Sequence, residues 1–217
     1  MTGEPRLFVA FLGLAVFLAT EGLKPPRWKD GALPQIPQQT TAWGKVLLEV
    51  SVGAAGQVER ITILRSTPPF TEALQEAVAG WRFEPAMAAG VPSPGRILVA
   101  AVFRPPALAE APGAGEPPRD LAAPSDSIPF PTTIRAPRYP PRALGDGVVL
   151  VEAEVGGDGA VRAATILKSA PGFDDSAVQA SLQWKFRAAR RDGSPVSARA
   201  VLVFAFRQPV LSKPRRG

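Results

Sequence analysis

The sequence predicts an α+β fold made of two tandem β-β-α-β modules, each an antiparallel sheet with one helix packed on it. Three observations support this fold: an ungapped internal repeat, alternating apolar residues typical of half-buried strands, and an apolar stripe at helical spacing. A proline-rich linker joins the modules, and an N-terminal hydrophobic segment precedes them. One module can therefore be analysed and the result applied to both.

The internal repeat relates residues 44–104 to residues 147–207 at a constant offset of 103 positions, the difference between Gly44 and its counterpart Gly147. Many structurally demanding residues recur at this offset. They include the pairs Gly56/Gly159, Pro68/Pro171, Phe70/Phe173, Trp81/Trp184 and Phe103/Phe206. Chance does not produce so many matches at one offset, so the chain contains two copies of one unit.

The strands are clearest in the second copy. Alternate residues of 149–155 are apolar, and the opposite strand face carries Glu152 and Glu154, which is the pattern of a half-buried strand. Residues 156–159 (Gly-Gly-Asp-Gly) supply a hairpin turn. A second strand is predicted over residues 161–168.

A helix follows in each copy. Asp174 is the predicted N-cap in the second copy, and Thr71 takes that position in the first. Leu74, Val78 and Trp81 lie at i, i+4 and i+7, which gives the first helix one apolar stripe to pack on the sheet. An apolar strand then closes each module.

Domain boundaries follow from the repeat and from the proline content. A compact loop wrapped on one module is the alternative to an extended linker between the modules. The predicted segments are a signal peptide or membrane anchor (residues 1–23), a spacer (24–33), module 1 (34–106), the proline-rich linker (107–131), module 2 (132–210) and a basic tail (211–217).

The amino-acid composition excludes several classes of functional site. The 217 residues include no cysteine and no histidine, which excludes thiolate zinc sites, disulfides and every catalytic relay that uses imidazole. The net charge of +6 would favour binding to an anionic surface. The alternative is that the basic residues only keep the protein soluble and protect strand edges. A hydrolase using Glu152 and Glu154, or Asp174 and Asp175, is weakly supported, because the first pair lies on a strand face and the second pair opens a helix.

The apolar run Leu7 to Thr20 has the length of a signal-peptide core rather than of a full membrane span. Glu21 makes a poor cleavage site, so a retained anchor stays an alternative. Both alternatives export the chain, and a periplasmic location, with or without an inner-membrane anchor, is the prediction.

The second copy carries a set of motifs in a definite order: Pro137–Ala143 with its Tyr-Pro pair, the Asp158-Gly159 turn, the segment Ser169–Asp174, and Trp184-Lys185-Phe186. Together they resemble the C-terminal domain of TonB-type energy transducers. The first copy lacks the Tyr-Pro pair but keeps Trp81–Ala86, so it is a divergent second example.

This resemblance implies a periplasmic binding module that is not an enzyme and that needs no cofactor or metal. Members couple an inner-membrane anchor to an ExbB–ExbD motor and grip the peptide box of an outer-membrane TonB-dependent receptor, which takes up iron chelates or cobalamin. Binding occurs by strand addition to an unpaired sheet edge. The predicted partner-binding residues are Tyr139, Pro140, Arg199, Ala200, Val201, Leu202, Val203, Phe204, Ala205 and Phe206.

Several alternatives stay open. Residues 7–20 lack the Ser/His pair of the family's anchors, so the protein is either an energy transducer or an envelope scaffold without energy coupling. Residues 199–206 form either a binding edge or a purely structural strand. The cations Lys185, Arg187, Arg190 and Arg191 either meet an acidic receptor segment or form a solvated corner. Nucleic-acid binding is not expected, because no basic groove with an aromatic platform is visible.

Overall fold

The computed structural model describes residues 24–38, 43–104 and 119–209. The predicted N-terminal hydrophobic segment, the basic tail and the first part of the linker lie outside these residues, and the expectations about them stay predictions. The two predicted helices and the sheet-rich character of both repeats are confirmed.

The elements of the two halves correspond closely. The first half contains β1 (Arg27–Asp30), β2 (Gly44–Val52), β3 (Val58–Ser66), α1 (Phe70–Ala79), β4 (Arg82–Glu84), β5 (Ala86–Ala88), β6 (Val91–Ser93) and β7 (Gly95–Phe103). The second half contains β8 (Arg119–Asp120), β9 (Phe130–Thr133), β10 (Gly147–Val155), β11 (Val161–Lys168), α2 (Asp174–Leu182), β12 (Lys185–Arg187), β13 (Ala189–Arg191), β14 (Ser194–Val196) and β15 (Ala198–Phe206).

The two modules share one sheet. Its strand order across the described residues is β11-β10-β15-β7-β2-β3-β8. Within each module the neighbouring strands are antiparallel, whereas β15 and β7 run parallel, with residues 200–205 paired to residues 98–103. We call this parallel pair the seam. The modules are therefore not independent units on a flexible linker but halves of a continuous seven-stranded sheet.

The two helices lie on opposite faces of this sheet. Leu74 of α1 belongs to one core cluster together with Val99 and Val201, whereas Ala177 of α2 belongs to another cluster together with Leu202. Neighbouring strand residues point to opposite faces, so the two clusters lie on opposite sides. Parallel seam strands with helices on opposite faces imply an approximate two-fold axis that runs along the seam in the plane of the sheet.

Residues 24–38, the first arm, join the modules on the α1 face. The arm pairs with its own module through β1 and β4, and the indole Nε1 of Trp81 donates a hydrogen bond to the carbonyl oxygen of Ala32 at 2.8 Å. It also reaches the other module, where Arg27 Nε donates to Glu152 Oε2 at 3.1 Å. The arm therefore covers part of the α1 face that α1 itself does not reach.

Residues 119–140, the second arm, repeat this arrangement on the α2 face. The arm pairs with its own module through β9 and β12, and Trp184 Nε1 donates to the carbonyl oxygen of Arg135 at 2.9 Å. Its Ser125 backbone N–H reaches across to Glu49 Oε2 at 2.9 Å, and Ile128 is fully buried in the α2-face core. Each arm thus closes the core of the other module.

The repeated glycine at the first hairpin has a direct structural reason. Gly56 and Gly159 have φ values of +82° and +77°, in the left-handed region that favours glycine. A Cβ at either position would overlap the carbonyl oxygen of Phe83 or Phe186. The identity of these positions therefore reflects a turn that must lie against β4 or β12, the short strand that follows the helix.

Two details differ from the sequence prediction. The expectation that Asp174 and Thr71 are helix N-caps is wrong, because the cap positions are Phe173 and Pro69 and neither helix has a side-chain cap. Asp174 accepts hydrogen bonds from the Ser169 hydroxyl and the Ala170 N–H at 2.6 and 3.0 Å, and so orders the loop before α2.

The spacer and the later part of the linker also differ from the prediction. β1 lies within residues 24–33, and β8 and β9 begin within residues 107–131. Proline-rich composition predicted extended chain there. The extended chain is correct, but it pairs with β3, β4 and β12 and packs against both cores instead of separating the modules.

We predict that the two halves stay associated when the covalent link between them is cut. A protease site inserted within residues 105–118 and cleaved in the folded protein should leave one species by gel filtration and one cooperative unfolding transition, because the seam and both arms hold the halves together. Elution as two separate fragments under native conditions would contradict the shared-core description. The uncleaved protein carrying the same insertion is the control.

Candidate partner-binding site

Tyr139 and Pro140 lie at the end of the second arm, beside the start of α2. The Tyr139 hydroxyl donates to the carbonyl oxygen of Gly145 at 2.8 Å and also lies 3.3 Å from that of Ala143. Its half-buried ring meets the edge of Phe173, with centroids 5.5 Å apart. The Tyr-Pro segment therefore fixes a tight loop before β10.

An aromatic chain links this loop to the closing strand. The ring of Phe173 lies 4.7 Å from that of Phe206, the last residue of β15. Gly147 leaves room for Phe173, because a Cβ at this glycine would overlap the ring. The resemblance placed Tyr139 and Pro140 beside the closing strand, and in the structure Phe173 lies between the Tyr139 ring and Phe206 at the C-terminal end of that strand.

The prediction that residues 199–206 form an unpaired edge is wrong. β15 pairs with β10 along its whole length on one side and with β7 on the other side. The seven residues 200–206 are all buried. The physical reason is the duplication itself, because each closing strand supplies the neighbour that the other would lack.

Arg199 belongs to a cluster of ion pairs around the buried Glu152 rather than to an exposed edge. Glu152 is 3% exposed, and its carboxylate lies 3.1 Å from Arg27 Nε and 3.8 Å from Arg199 Nε. Arg199 also lies 3.8 Å from Glu154, which is exposed. A buried carboxylate needs such partners, since an isolated buried charge is costly.

The first module contains the equivalent cluster. Glu49 is 7% exposed and accepts hydrogen bonds from Arg96 at 3.1 Å and from the backbone of Ser125. Each glutamate therefore binds one arginine of its own module and one donor from the arm that crosses from the other module. These two glutamates hold the halves in register.

A shallow groove of about 660 Å³ runs between the Tyr-Pro segment and α2. Polar side chains of α2 and prolines of the arm line it, among them Pro137, Pro140, Ser176, Gln179 and Gln183. The described residues hold no group of three or more acidic side chains that could bind a metal ion. The groove offers a mixed surface beside Pro140, with apolar area from the prolines and alanines and polar groups from α2.

The outer edges of the sheet differ between the two modules. On β3, the backbone of Arg65 and Ser66 pairs with β8, the beginning of the second arm. On the opposite side of the molecule, β11 has β10 as its one strand neighbour within the described residues. The edge that the described part of module 2 leaves open is therefore residues 161–168, not the closing strand.

The cation cluster of the second module is partly engaged. Arg187 binds Asp126 of the second arm at 2.7 Å, and Arg190 donates to the carbonyl oxygen of Gly193 at 3.1 Å. Lys185 and Arg191 are exposed. Of the two interpretations of this cluster, the contacts favour a solvated corner that also anchors the arm.

The family model of the C-terminal domain of the Gram-negative bacterial TonB protein matches the chain twice, over residues 32–105 and residues 135–207. The chain belongs to this family. The two matches cover more than half of the 217 residues and coincide with the two modules. No curated protein matches the chain.

TonB C-terminal domains are protein-interaction domains, which agrees with a site built from strand edges and loops instead of reactive side chains. In residues 24–38, 43–104 and 119–209, no helix is long and apolar enough to span a membrane. The predicted anchor, residues 1–23, lies outside the described residues.

Sequence reasoning missed the roles of Glu49 and Glu152 and the open edge at β11. A signal for the glutamates was present, because both occur at the repeat offset in the middle of largely apolar strands. A signal for the seam was present too. The closing strands are apolar on both faces, a pattern typical of strands buried on both sides.

We expect Glu152→Gln to lower the free energy of unfolding by about 1–3 kcal/mol, because the buried acceptor loses the charge that Arg27 and Arg199 bind. Glu154→Gln, on the same strand face but exposed, should cost about 0–1 kcal/mol. Urea titration at fixed ionic strength measures both values. Equal effects of the two substitutions would show that Glu152 does not hold the arm.

The single tyrosine allows a direct pH test. Burial first, and the charge of Asp146 second, raise the pKa of Tyr139 above its usual value. The neutral phenol therefore contributes to the free energy of unfolding. This contribution is complete below the ordinary tyrosine pKa of about 10, and it is lost as the pH rises through the pKa of the folded state. Tyrosinate absorbance of the folded protein should appear at higher pH than in denaturant. Asp146→Asn should lower the midpoint, while Asp192→Asn, in the β13–β14 turn, should leave it unchanged.

Proposed function

We propose that the protein is a TonB-family adapter of the cell envelope that binds an extended segment of an outer-membrane receptor by strand addition and so supports nutrient uptake. The observation that carries the proposal is the presence of two TonB C-terminal modules in one sheet whose outer edge at β11 has a single neighbour in the described chain. Backbone hydrogen bonds at such an edge supply affinity with little demand on sequence.

The partner does not pair with the closing strand in this proposal. Addition at β15 would require all six residue pairs of the seam to separate and would expose the buried residues 200–206. An outer edge accepts a strand without that cost. The periplasmic location and the receptor, of the type that imports iron chelates or cobalamin, come from the family relationship and from the apolar run at residues 7–20.

A scaffold without energy coupling is the second candidate. The seam favours it, because it occupies in both modules the strand that the family relationship assigns to the receptor. Under this alternative the protein bridges envelope partners, and an ExbB–ExbD-type motor plays no part.

Replacement of residues 7–20 by an inert membrane helix separates the two candidates. If the protein couples to a motor, this variant should lose uptake of ferric chelates or cobalamin as completely as a deletion strain does, while still co-purifying with its receptor. Full uptake by the variant would establish the scaffold. Uptake unaffected by deletion, together with no receptor in the co-purified material, would disprove the proposal.

A further inference from the structure

The structure contains its own example of strand addition to an outer edge. Arg119 and Asp120 pair antiparallel with Ser66 and Arg65, and the backbone N–H of Leu121 donates to the carbonyl oxygen of Leu64 at 2.9 Å. This segment comes from the second arm and is separated from β3 by more than 50 residues of chain. The edge of β3 therefore accepts a short extended segment that is not its sequence neighbour.

An ion pair fixes the register of this added strand. Arg65 donates from Nε and Nη2 to the two carboxylate oxygens of Asp120 at 2.6 and 3.1 Å, the two-pronged geometry that makes arginine–carboxylate pairs strong. The hydrogen bond from Arg65, with its charge, holds the pKa of Asp120 below its usual range. The added strand is thus recognised by one acidic residue and by backbone pairing.

The repeat places the same groups on the edge of β11. At the offset of 103, Lys168 and Ser169 correspond to Arg65 and Ser66, and Leu167 corresponds to Leu64. The Lys168 side chain is 41% exposed, and its ion pair with the exposed Asp30 is long, at 3.9 Å. Module 2 therefore has a cation at the position that Arg65 holds in module 1, and the same register shift one residue before it. Among the described residues, no added strand pairs with this edge.

A second copy of the chain fits this edge poorly. β11 contains no aspartate or glutamate, so a second β11 strand offers Lys168 no carboxylate in any register, and antiparallel pairing about Thr165 would place Arg162 of each copy opposite Lys168 of the other. Like charges directly opposite each other destabilise a strand pair. The charge of the edge instead favours a partner that supplies a carboxylate.

We propose that the outer edge of β11 binds an extended acidic segment of a partner protein, antiparallel, with an aspartate or glutamate opposite Lys168 and an apolar residue after it. This inference rests on the proposed function, because it assigns the surface and the chemistry by which the receptor is bound. The receptor-binding surface in this inference is the edge of β11, and neither the closing strand nor the groove beside Pro140.

The test uses the full chain and a synthetic peptide of residues 117–124, Pro-Pro-Arg-Asp-Leu-Ala-Ala-Pro, which contains the three residues 119–121 that β3 accepts. NMR titration should shift the backbone amides of residues 165–169. Changing the aspartate of the peptide to asparagine, or Lys168→Ala in the protein, should each weaken binding about two- to fivefold. Lys168→Glu should reject the aspartate peptide and bind its lysine counterpart.

Arg191→Glu, which makes the same charge change on the exposed β13, is the matched control and should leave the affinity unchanged. Shifts confined to the groove beside Pro140, equal effects of Lys168→Glu and Arg191→Glu, or no shifts at millimolar peptide would each overturn the inference. The inference would also be overturned if residues 1–23 protected the amides of this edge from hydrogen exchange and the peptide did not displace them.

Receptor co-purification with the Lys168→Glu protein separates the two claims. Loss of the receptor supports both claims. Retention of the receptor at the wild-type level overturns the β11 assignment and leaves the proposed function standing. Peptide binding at β11 by a protein that never retains a receptor supports the edge chemistry and disproves the receptor function.

Discussion

The parallel pairing of β7 with β15 is the constraint on which the rest of the structure depends. Both strands are apolar on both faces, and an apolar strand with an open edge would pair with any extended chain that it meets. Each strand closes the edge of the other. Duplication of the module therefore removes the most aggregation-prone edge of each copy and places it at the centre of the sheet.

The seam also determines where the arms lie. Because parallel closing strands place α1 and α2 on opposite faces, each helix covers only its own half of one face. The uncovered halves contain the apolar side chains of the other module, and the arms that precede each module cross to cover them. Glu49 and Glu152 lie where the arms cross, and their buried carboxylates require the donors that the arms bring. Each half therefore depends on the other for cover of its apolar side chains and for hydrogen bonds to its buried glutamate.

The sequence was sufficient for the three long strands and the helix of each module. It was insufficient for the short strands between each helix and its closing strand, and for the assembly of the modules. The alternation in residues 149–155 and the stripe that ends at Trp81 depend on local periodicity, and the structure contains both elements. The seam depends on which edge meets which, a contact between residues more than 100 positions apart that local periodicity does not encode. The docking of the two arms could not be predicted for a different reason. Proline predicts extended chain, but it does not indicate whether that chain is solvated or docked. The apolar residues Ile128, Phe130 and Ile134, which pack against the α2-face core, are the local sign that the second arm is docked.

The duplication changes which surface remains for a partner. In a single module the closing strand is a free edge, whereas here the two closing strands satisfy each other and the outer strands become the edges of the molecule. Within the described residues the two halves are not equivalent, because β8 of the second arm pairs with β3, whereas β11 has β10 as its one strand neighbour. Two modules of the same fold therefore yield, among the described residues, one end that β8 closes and one end without an added strand, and the second end carries Lys168 where the first carries Arg65.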